Sequence, residues 1–222
     1  MTDRTSRTLL ALILITLWGF LLRPLWTPPD AGAQTAAPPA LAAEAPAAQD
    51  SPELAKLYEE DQADRRPAEG KQIDWTVVGP RDDARLARVK EMYAQDLLKT
   101  GADYYHAAMV LQHASVPEDF LLAHELCVVA ISKGNEKAKW LAAASEDRFL
   151  MNLGRPQRFA TQYRAESKGG PMQLYKVDSG VTDSLRAALN VPTLAKARER
   201  EAEMNRFYGR TPAKKEPGPG GR

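Results

Sequence analysis

The fold is decided by residues 121–131, which read LLAHELCVVAI. A helix drawn through this stretch carries apolar side chains on every face, interrupted only by His124 and Glu125. This pattern predicts a helix that is buried on all sides. Ser115-Val116-Pro117-Glu118 has the spacing of a capping box ahead of it, and Gly134 can adopt the positive φ that ends a helix. We therefore expect this helix to form the centre of the domain.

Further helices are expected on both sides of the central one. A second helix follows it, with Asn135 as N-cap and Gly154 as its end, and another precedes it over Asp103–Ala114. Three consecutive helices joined by short turns predict stacked helical hairpins. Upstream, Ser51-Pro52 has the N-cap and N1 pattern of a helix start, and Arg81–Lys99 has the period of a long amphipathic helix.

The amphipathic helix carries an apolar stripe and follows a segment without periodicity. We expect Lys71–Pro80 to be irregular and Gly101 to lie beyond the end of the helix. The stripe consists of Leu86, Val89, Tyr93 and Leu97. These positions recur at the spacing of one helix face, so they are expected to pack on the core.

The hydrophobic period changes after the central helices. Arg158–Tyr163 and Met172–Val177 alternate apolar with more polar residues, and Lys168-Gly169-Gly170-Pro171 lies between them, which predicts a β-hairpin. Two short helices, Thr182–Leu189 and Pro192–Phe207, are expected to follow. The predicted class is mainly α, with stacked helical hairpins and one small β-hairpin in a single domain.

An apolar run near the N-terminus, Leu9–Leu22, predicts export. As a helix this run spans about 21 Å at ~1.5 Å per residue, short of a hydrocarbon core of ~30 Å. The span reaches about 27 Å if it continues to Trp26 at the interface, with the Arg23 side chain snorkelling. We therefore expect residues 1–26 to form a signal anchor that contacts the membrane through residues 9–26.

A cleaved signal peptide is the alternative, because Ala31-Gly32-Ala33 forms an A-x-A site. An anchor places the domain on the periplasmic side of the inner membrane, whereas cleavage releases a secreted protein. Residues 27–50 are rich in Ala and Pro and predict a linker, and residues 209–222 predict a disordered tail. The helical domain is then expected over residues 51–208.

Composition excludes several functional classes. The 30 Lys and Arg nearly balance the 29 Asp and Glu, so the formal charge of +1 gives no basic footprint for nucleic acid. The single cysteine, Cys127, lies in the apolar helix and is expected to be a small buried hydrophobe.

His106 and His113 stand about 10.5 Å apart along a helix, too far to bind one metal ion together. No metal or cofactor is predicted, and the chain has no Gly-rich phosphate loop or nucleophile elbow.

Polar side chains in apolar surroundings are the candidate site residues. Asp147 lies on a largely apolar helix face, where an isolated carboxylate is costly. We therefore expect a cation within salt-bridge reach of it, supplied by Arg65, Arg148 or His113. Three interpretations remain open: a polar network that docks the helices, a ligand pocket and a catalytic site.

The spacing of these residues resembles a family of uncharacterised bacterial proteins, a domain of unknown function covering most of Leu54–Leu194. Its motifs are D-Q-x-x-R, Q-H-A, D-R and G-x-x-Q-x-x-G-T-Q. The matching residues here are Asp61, Gln62, Arg65, Gln112, His113, Ala114, Asp147, Arg148, Gly154, Gln157, Thr161 and Gln162, with Arg186 further on. Ala160 and Asn190 stand where the family has Gly. The resemblance implies a fold and a polar cluster, but no activity. Ala130–Ala144 is also similar to a Sel1 or tetratricopeptide helix pair, without a recurring period.

The leading hypothesis is an exported, membrane-tethered helical domain that binds a protein or small molecule without catalysis. Its candidate binding residues are Gln62, Arg65, Gln112, His113, Asp147, Arg148, Gln157, Thr161 and Gln162. The alternative is a hydrolase in which His113 is the general base, oriented by Asp147, with Arg65 or Arg148 stabilising an anion. An open cleft shared by these side chains favours a pocket or an enzyme, whereas sealed pairs favour a structural network.

Overall fold

The computed structural model of the protein describes residues 48–67, 72–167 and 169–207. This part of the chain is mainly helical, with seven helices and a two-stranded sheet, so the predicted class is confirmed. The elements are α1 (Pro52–Asp64), α2 (Trp75–Ala94), α3 (Gly101–Leu111), α4 (Pro117–Ser132), α5 (Ala138–Asn152), β1 (Tyr163–Ala165), β2 (Met172–Leu174), α6 (Asp183–Ala188) and α7 (Leu194–Phe207). No helix within these ranges is both long and apolar enough to cross a bilayer. The predicted anchor, residues 1–26, the predicted linker up to residue 47, and the predicted tail, residues 209–222, lie outside them.

Helices α3, α4 and α5 form the predicted stack at the centre of the domain. Leu111, Leu126 and Leu141 are almost completely buried there, and so is Cys127. Burial raises the pKa of the Cys127 thiol to about 12, so this thiol stays protonated near neutral pH. The expectation that it behaves as a small buried hydrophobe is confirmed.

Helix α4 is not buried on all sides, and that prediction was wrong. Leu121 and Val128 on its outer face are 37% and 51% exposed. Neighbouring helices cover only the face that carries Ala123, Leu126 and Ala130. An all-round apolar sequence is compatible with burial on every side, but it does not say how many neighbours the fold supplies.

Helix α2 begins earlier and ends earlier than predicted. Asp74 caps it by accepting a hydrogen bond from the Thr76 amide at 3.0 Å, so Lys71–Pro80 is not irregular throughout and Pro80 lies inside the helix. The chain leaves the helix after Ala94, where Asp96 takes the left-handed φ of 55°. Gly101 therefore does not follow this helix but opens α3. Val89 of the predicted stripe is buried and Leu86 partly so, whereas Tyr93 and Leu97 are exposed.

Glycines end α4 and α5 as predicted, but two caps differ from expectation. Gly134 and Gly154 have φ of 85° and 71°. The predicted capping box at Ser115 is wrong, because Val116 is the N-cap of α4 and makes no side-chain cap bond. Asn135 is not the N-cap of α5; its side-chain amide instead donates to the Gly101 carbonyl.

The β-hairpin is confirmed, but its strands differ from the predicted ones: β1 begins at Tyr163, where the predicted first strand ends, and β2 ends at Leu174, before Val177. β1 and β2 pair antiparallel, with Tyr163 opposite Leu174 and Ala165 opposite Met172. Helix α7 covers the outer edge of β2, since the Asn205 side chain accepts from the Met172 amide and donates to the Met172 carbonyl. Residues 158–162 are not strand, because they turn around the side chain of Asp147.

Candidate functional site

The Asp147 carboxylate is held by backbone amides and not by a cation. It is fully buried, and it accepts hydrogen bonds from the amides of Arg158 (2.7 Å), Phe159 (2.9 Å) and Thr161 (3.0 Å), and from the Thr161 hydroxyl (2.7 Å). No salt bridge reaches this carboxylate within the residues that the structure describes. The prediction of a cationic partner was therefore wrong. Several oriented amide donors can satisfy a buried carboxylate as a cation does.

A second side chain, Gln157, closes the same loop. It is completely buried; its Oε1 accepts from the Gln162 amide, and its Nε2 donates to the Gln162 and Tyr175 carbonyls, each at 2.8 or 2.9 Å. Ala160, at the centre of the loop, has φ of 65°. Most residues avoid this left-handed region, which glycine adopts without steric cost. Asp147 and Gln157 thus act as structural clamps.

An ion-pair network joins α1 to α2. Arg65 lies 2.9 Å from Asp61 and 2.8 Å from Asp82, and Arg85 lies 2.7 Å from Asp82 and 2.8 Å from Asp64. Burial alone would raise the pKa of Asp82, but hydrogen bonds from Arg65 and Arg85 outweigh it and lower this pKa. Asp82 is therefore ionised near neutral pH.

His113 belongs to this network and not to Asp147. Its Nδ1 lies 2.9 Å from Asp61 Oδ1, which also accepts from Arg65. The Gln62 side chain donates to the other Asp61 oxygen at 2.8 Å. Asp61 is almost fully buried, so it fixes the orientation of the imidazole. The hydrolase hypothesis had assigned this orienting role to Asp147, whose oxygens bond the loop instead.

Five of the nine predicted binding residues line one open cleft of about 270 Å³. They are Arg65, Gln112, His113, Arg148 and Gln162. The cleft is completed by Trp75, Asp82, Ala114, Phe120, Met151 and Asn152. The other four candidates lie behind this surface: Gln62 bonds Asp61, whereas Asp147, Gln157 and Thr161 hold the loop that positions Gln162. The sequence motifs therefore supply both the cleft and its supports.

Two side chains of the cleft have unused hydrogen-bonding capacity. The Arg148 guanidinium donates to the Ala144 carbonyl at 3.3 Å, and no carboxylate in the described ranges forms a salt bridge with it. Burial lowers the pKa of Arg148 to about 10, an effect that the nearby charge of Asp147 only partly offsets. Gln112 is 6% exposed, and its Oε1 has no hydrogen-bond partner among the described residues.

Comparison with known proteins finds no match for this chain. No protein-family model matches the chain. Curated proteins and solved structures give no significant match either. The resemblance to a domain of unknown function therefore stays a prediction.

Some residues of the cleft were not singled out by the sequence. Trp75, 60% exposed, and Met151 form part of its apolar wall, and Asp82 contributes a carboxylate. An exposed Trp has no distinguishing sequence signal, because the same residue type is common in cores. Within the described ranges, no three His, Cys, Asp or Glu side chains stand close enough together to hold a metal ion.

Proposed function

We propose that this protein is a membrane-tethered binding domain, exported through its N-terminal apolar segment, whose cleft receives a small molecule. The support for binding is one observation. Arg148, on α5, and Gln112, at the end of α3, line the same open cleft. Among the described residues, Arg148 donates to a single carbonyl and Gln112 Oε1 has no hydrogen-bond partner. A partly buried guanidinium without an acidic partner lowers the free energy of unfolding, so its presence favours a functional role over a structural one.

Comparison of Arg148 with Arg186 supports a functional role for Arg148. Arg186 is 2% exposed, but its guanidinium donates to the carbonyls of Val181, Arg158 and Phe159 and to Asp183. Arg148 donates to a single carbonyl. Arg186 lies in a saturated hydrogen-bond network, as is typical of a structural residue. Arg148 lines a cleft and uses few of its hydrogen-bond donors.

The alternative function, a hydrolase, is favoured by the pair His113–Asp61. Asp61 holds Nδ1, and Nε2 has no partner in the part of the chain that the structure describes, as a general base requires. The described cleft lining contains no Ser, Thr or Cys, so a hydrolase built on it would use water as nucleophile. Binding requires fewer additional assumptions and is the function that we propose.

The paired substitutions Arg148→Met and Arg186→Met test the proposal. Removing a functional, unmatched charge is expected to raise the free energy of unfolding by about 0.5–2 kcal/mol. Removing the saturated Arg186 is expected to lower it by more than about 2 kcal/mol, because several buried carbonyls lose their donor. Urea unfolding followed by circular dichroism measures both changes. A loss of stability above about 1 kcal/mol in Arg148→Met would assign this residue to the structural network and refute the proposed site.

The tether has its own test, which does not depend on the cleft. A reporter enzyme that is active only outside the cytoplasm, fused after Asp50, is expected to be active. Activity of a cytoplasmic reporter at the same position would contradict export. The mass of the mature N-terminus then separates the alternatives, since a protein that starts at Gln34 has been cleaved and is not anchored.

A further inference from the structure

The composition of the cleft narrows the chemistry of its ligand. On one wall, Arg65 and His113 share Asp61 Oδ1. On the other wall, the side chains of Arg148 and Gln162 share the Ala144 carbonyl, at 3.3 and 3.4 Å. A shared acceptor brings two donors side by side, so each wall presents adjacent N–H groups.

The charges on the first wall cancel within the network. Arg65, Arg81 and Arg85 are paired with Asp61, Asp64 and Asp82. Three guanidinium groups therefore face three carboxylates. When His113 is neutral, the net formal charge of this wall is zero.

The second wall differs, because no acid among the described residues forms a salt bridge with the positively charged Arg148. Asp147 is its sequence neighbour and attracts it through space, but the Asp147 oxygens are occupied by loop amides. A carboxylate of a ligand suits the Arg148 guanidinium, because its two oxygens match the forked N–H groups and its charge is a single one. A phosphate dianion would bring a second charge that no unpaired cation here meets.

Two further features describe the rest of the ligand. Gln112 Oε1 is a buried acceptor without a donor among the described residues, and Gln112 lines the cleft, so the ligand is expected to reach this oxygen with an N–H or O–H. Trp75, Phe120 and Met151 give the cleft an apolar portion. An aromatic or aliphatic group of the ligand can cover these side chains.

We infer that the cleft binds a small molecule with a carboxylate, an adjacent N–H donor and an apolar group, as in an N-acylated amino acid. The inference depends on the proposed function and specifies its ligand class. Arg148 binds the carboxylate, Gln112 accepts from the N–H, and the apolar wall packs on the remaining group. Binding involves no covalent step.

Hippurate is a suitable probe, since it combines a carboxylate, an amide N–H and a phenyl ring. Its binding to the full-length protein in detergent micelles can be followed by the NMR signals of the Arg Nε–H and Gln side-chain groups. Saturable shifts at Arg148 and Gln112 are expected with hippurate. The neutral N-benzoylglycinamide, which lacks only the charge, is expected to bind at least tenfold more weakly. Phenyl phosphate tests whether the site prefers a phosphate to a carboxylate. It is also expected to bind more weakly than hippurate.

Variants assign the binding to residues. Arg148→Met should weaken hippurate at least tenfold, whereas Arg66→Met, an exposed arginine on the same helix end as Arg65, should leave it unchanged. Equal binding of hippurate and its neutral amide would overturn the carboxylate inference, and tighter binding of phenyl phosphate would replace it with a phosphate site. An absence of shifts with hippurate would also overturn it. If Arg148→Met nevertheless stabilises the protein, the proposed function survives and only the ligand class is wrong.

Discussion

His113 Nδ1 lies 2.9 Å from Asp61 Oδ1, and these two residues stand 52 positions apart in the chain. The contact joins the last turn of α1 to the end of α3 at the floor of the cleft. Because Asp61 also binds Arg65 and Gln62, one buried carboxylate sets the position of three polar side chains. Asp61 is therefore the residue on which the geometry of this wall depends most.

Replacing Asp61 with Asn should cost about 1.5–3 kcal/mol of unfolding free energy, since hydrogen bonds to a charged group are lost in a buried setting. Urea denaturation measures the loss. Asp83→Asn is the matched control, because Asp83 is exposed on the neighbouring helix and its replacement should stay within about 0.5 kcal/mol of the wild type. Equal effects of the two substitutions would show that Asp61 is not the centre of the network.

Asp147→Asn should destabilise the protein by more than about 2 kcal/mol, because the new NH₂ group faces backbone donors in place of an acceptor. The contact pattern also predicts additivity. Since Asp147 attracts Arg148 through space but does not bond to it, the double variant Asp147→Asn/Arg148→Met should differ from the sum of the single changes by less than about 1 kcal/mol. A coupling energy above about 1 kcal/mol in the same unfolding assay would reveal an ion pair that contradicts this description.

Ala160→Gly should raise the stability of the protein by about 1 kcal/mol, because glycine adopts φ of 65° without the steric cost that alanine bears there. Asn190→Gly provides the comparison. Asn190 has φ of 57°, but asparagine tolerates this region, so its replacement should change stability less. Thermal unfolding of both variants makes the comparison, and a lower midpoint for Ala160→Gly would show that the alanine is not strained.

His106 should make the domain less stable in mildly acidic solution. Its ring stacks on Tyr58 with centroids 4.5 Å apart, and its Nδ1 is buried without a partner among the described residues. Burial lowers the pKa of His106, although Asp103, Asp50 and Glu59 oppose this shift. The unfolded chain therefore binds the proton more readily, so stability is complete above the ordinary value of 6.5 and falls as the pH drops below it.

The variant His106→Phe keeps the ring stack but cannot be protonated. The difference in unfolding free energy between it and the wild type should therefore change between about pH 7 and pH 5, with the wild type losing more stability. His113 and His124 are present in both proteins and cancel in this comparison. A difference that stays constant over this range would contradict the lowered pKa.

The local features of the fold could be predicted from the sequence, because helix periods and left-handed glycines are local signals. Gly134 and Gly154 illustrate this. The burial of α4 could not be predicted, since a helix that is apolar all round does not show which face its neighbours cover. The start of α2 was missed because Pro80 was taken as a boundary, although it lies within the helix.

The sequence predicted which residues form the candidate site, but not which of them contact one another. Arg65, Gln112, His113, Arg148 and Gln162 do share a cleft, as the hypothesis of a polar cluster expected. The partner of Asp147 could not be found, because every non-proline residue carries a backbone amide and the sequence does not mark those that a loop will aim inward. For the same reason His113 was assigned to Asp147, although Asp61 lies beside it.

The most direct test of the account is a crystal structure of the protein with 4-bromohippurate, in which anomalous scattering locates the bromine independently of the surrounding density. We predict the carboxylate against the Arg148 guanidinium, at the 2.7–2.9 Å typical of charge-assisted bonds, and the bromophenyl ring beside Trp75 and Met151. A cleft that remains empty at saturating ligand, or a carboxylate bound away from Arg148, would contradict the central claim that this arginine is kept unpaired for a ligand.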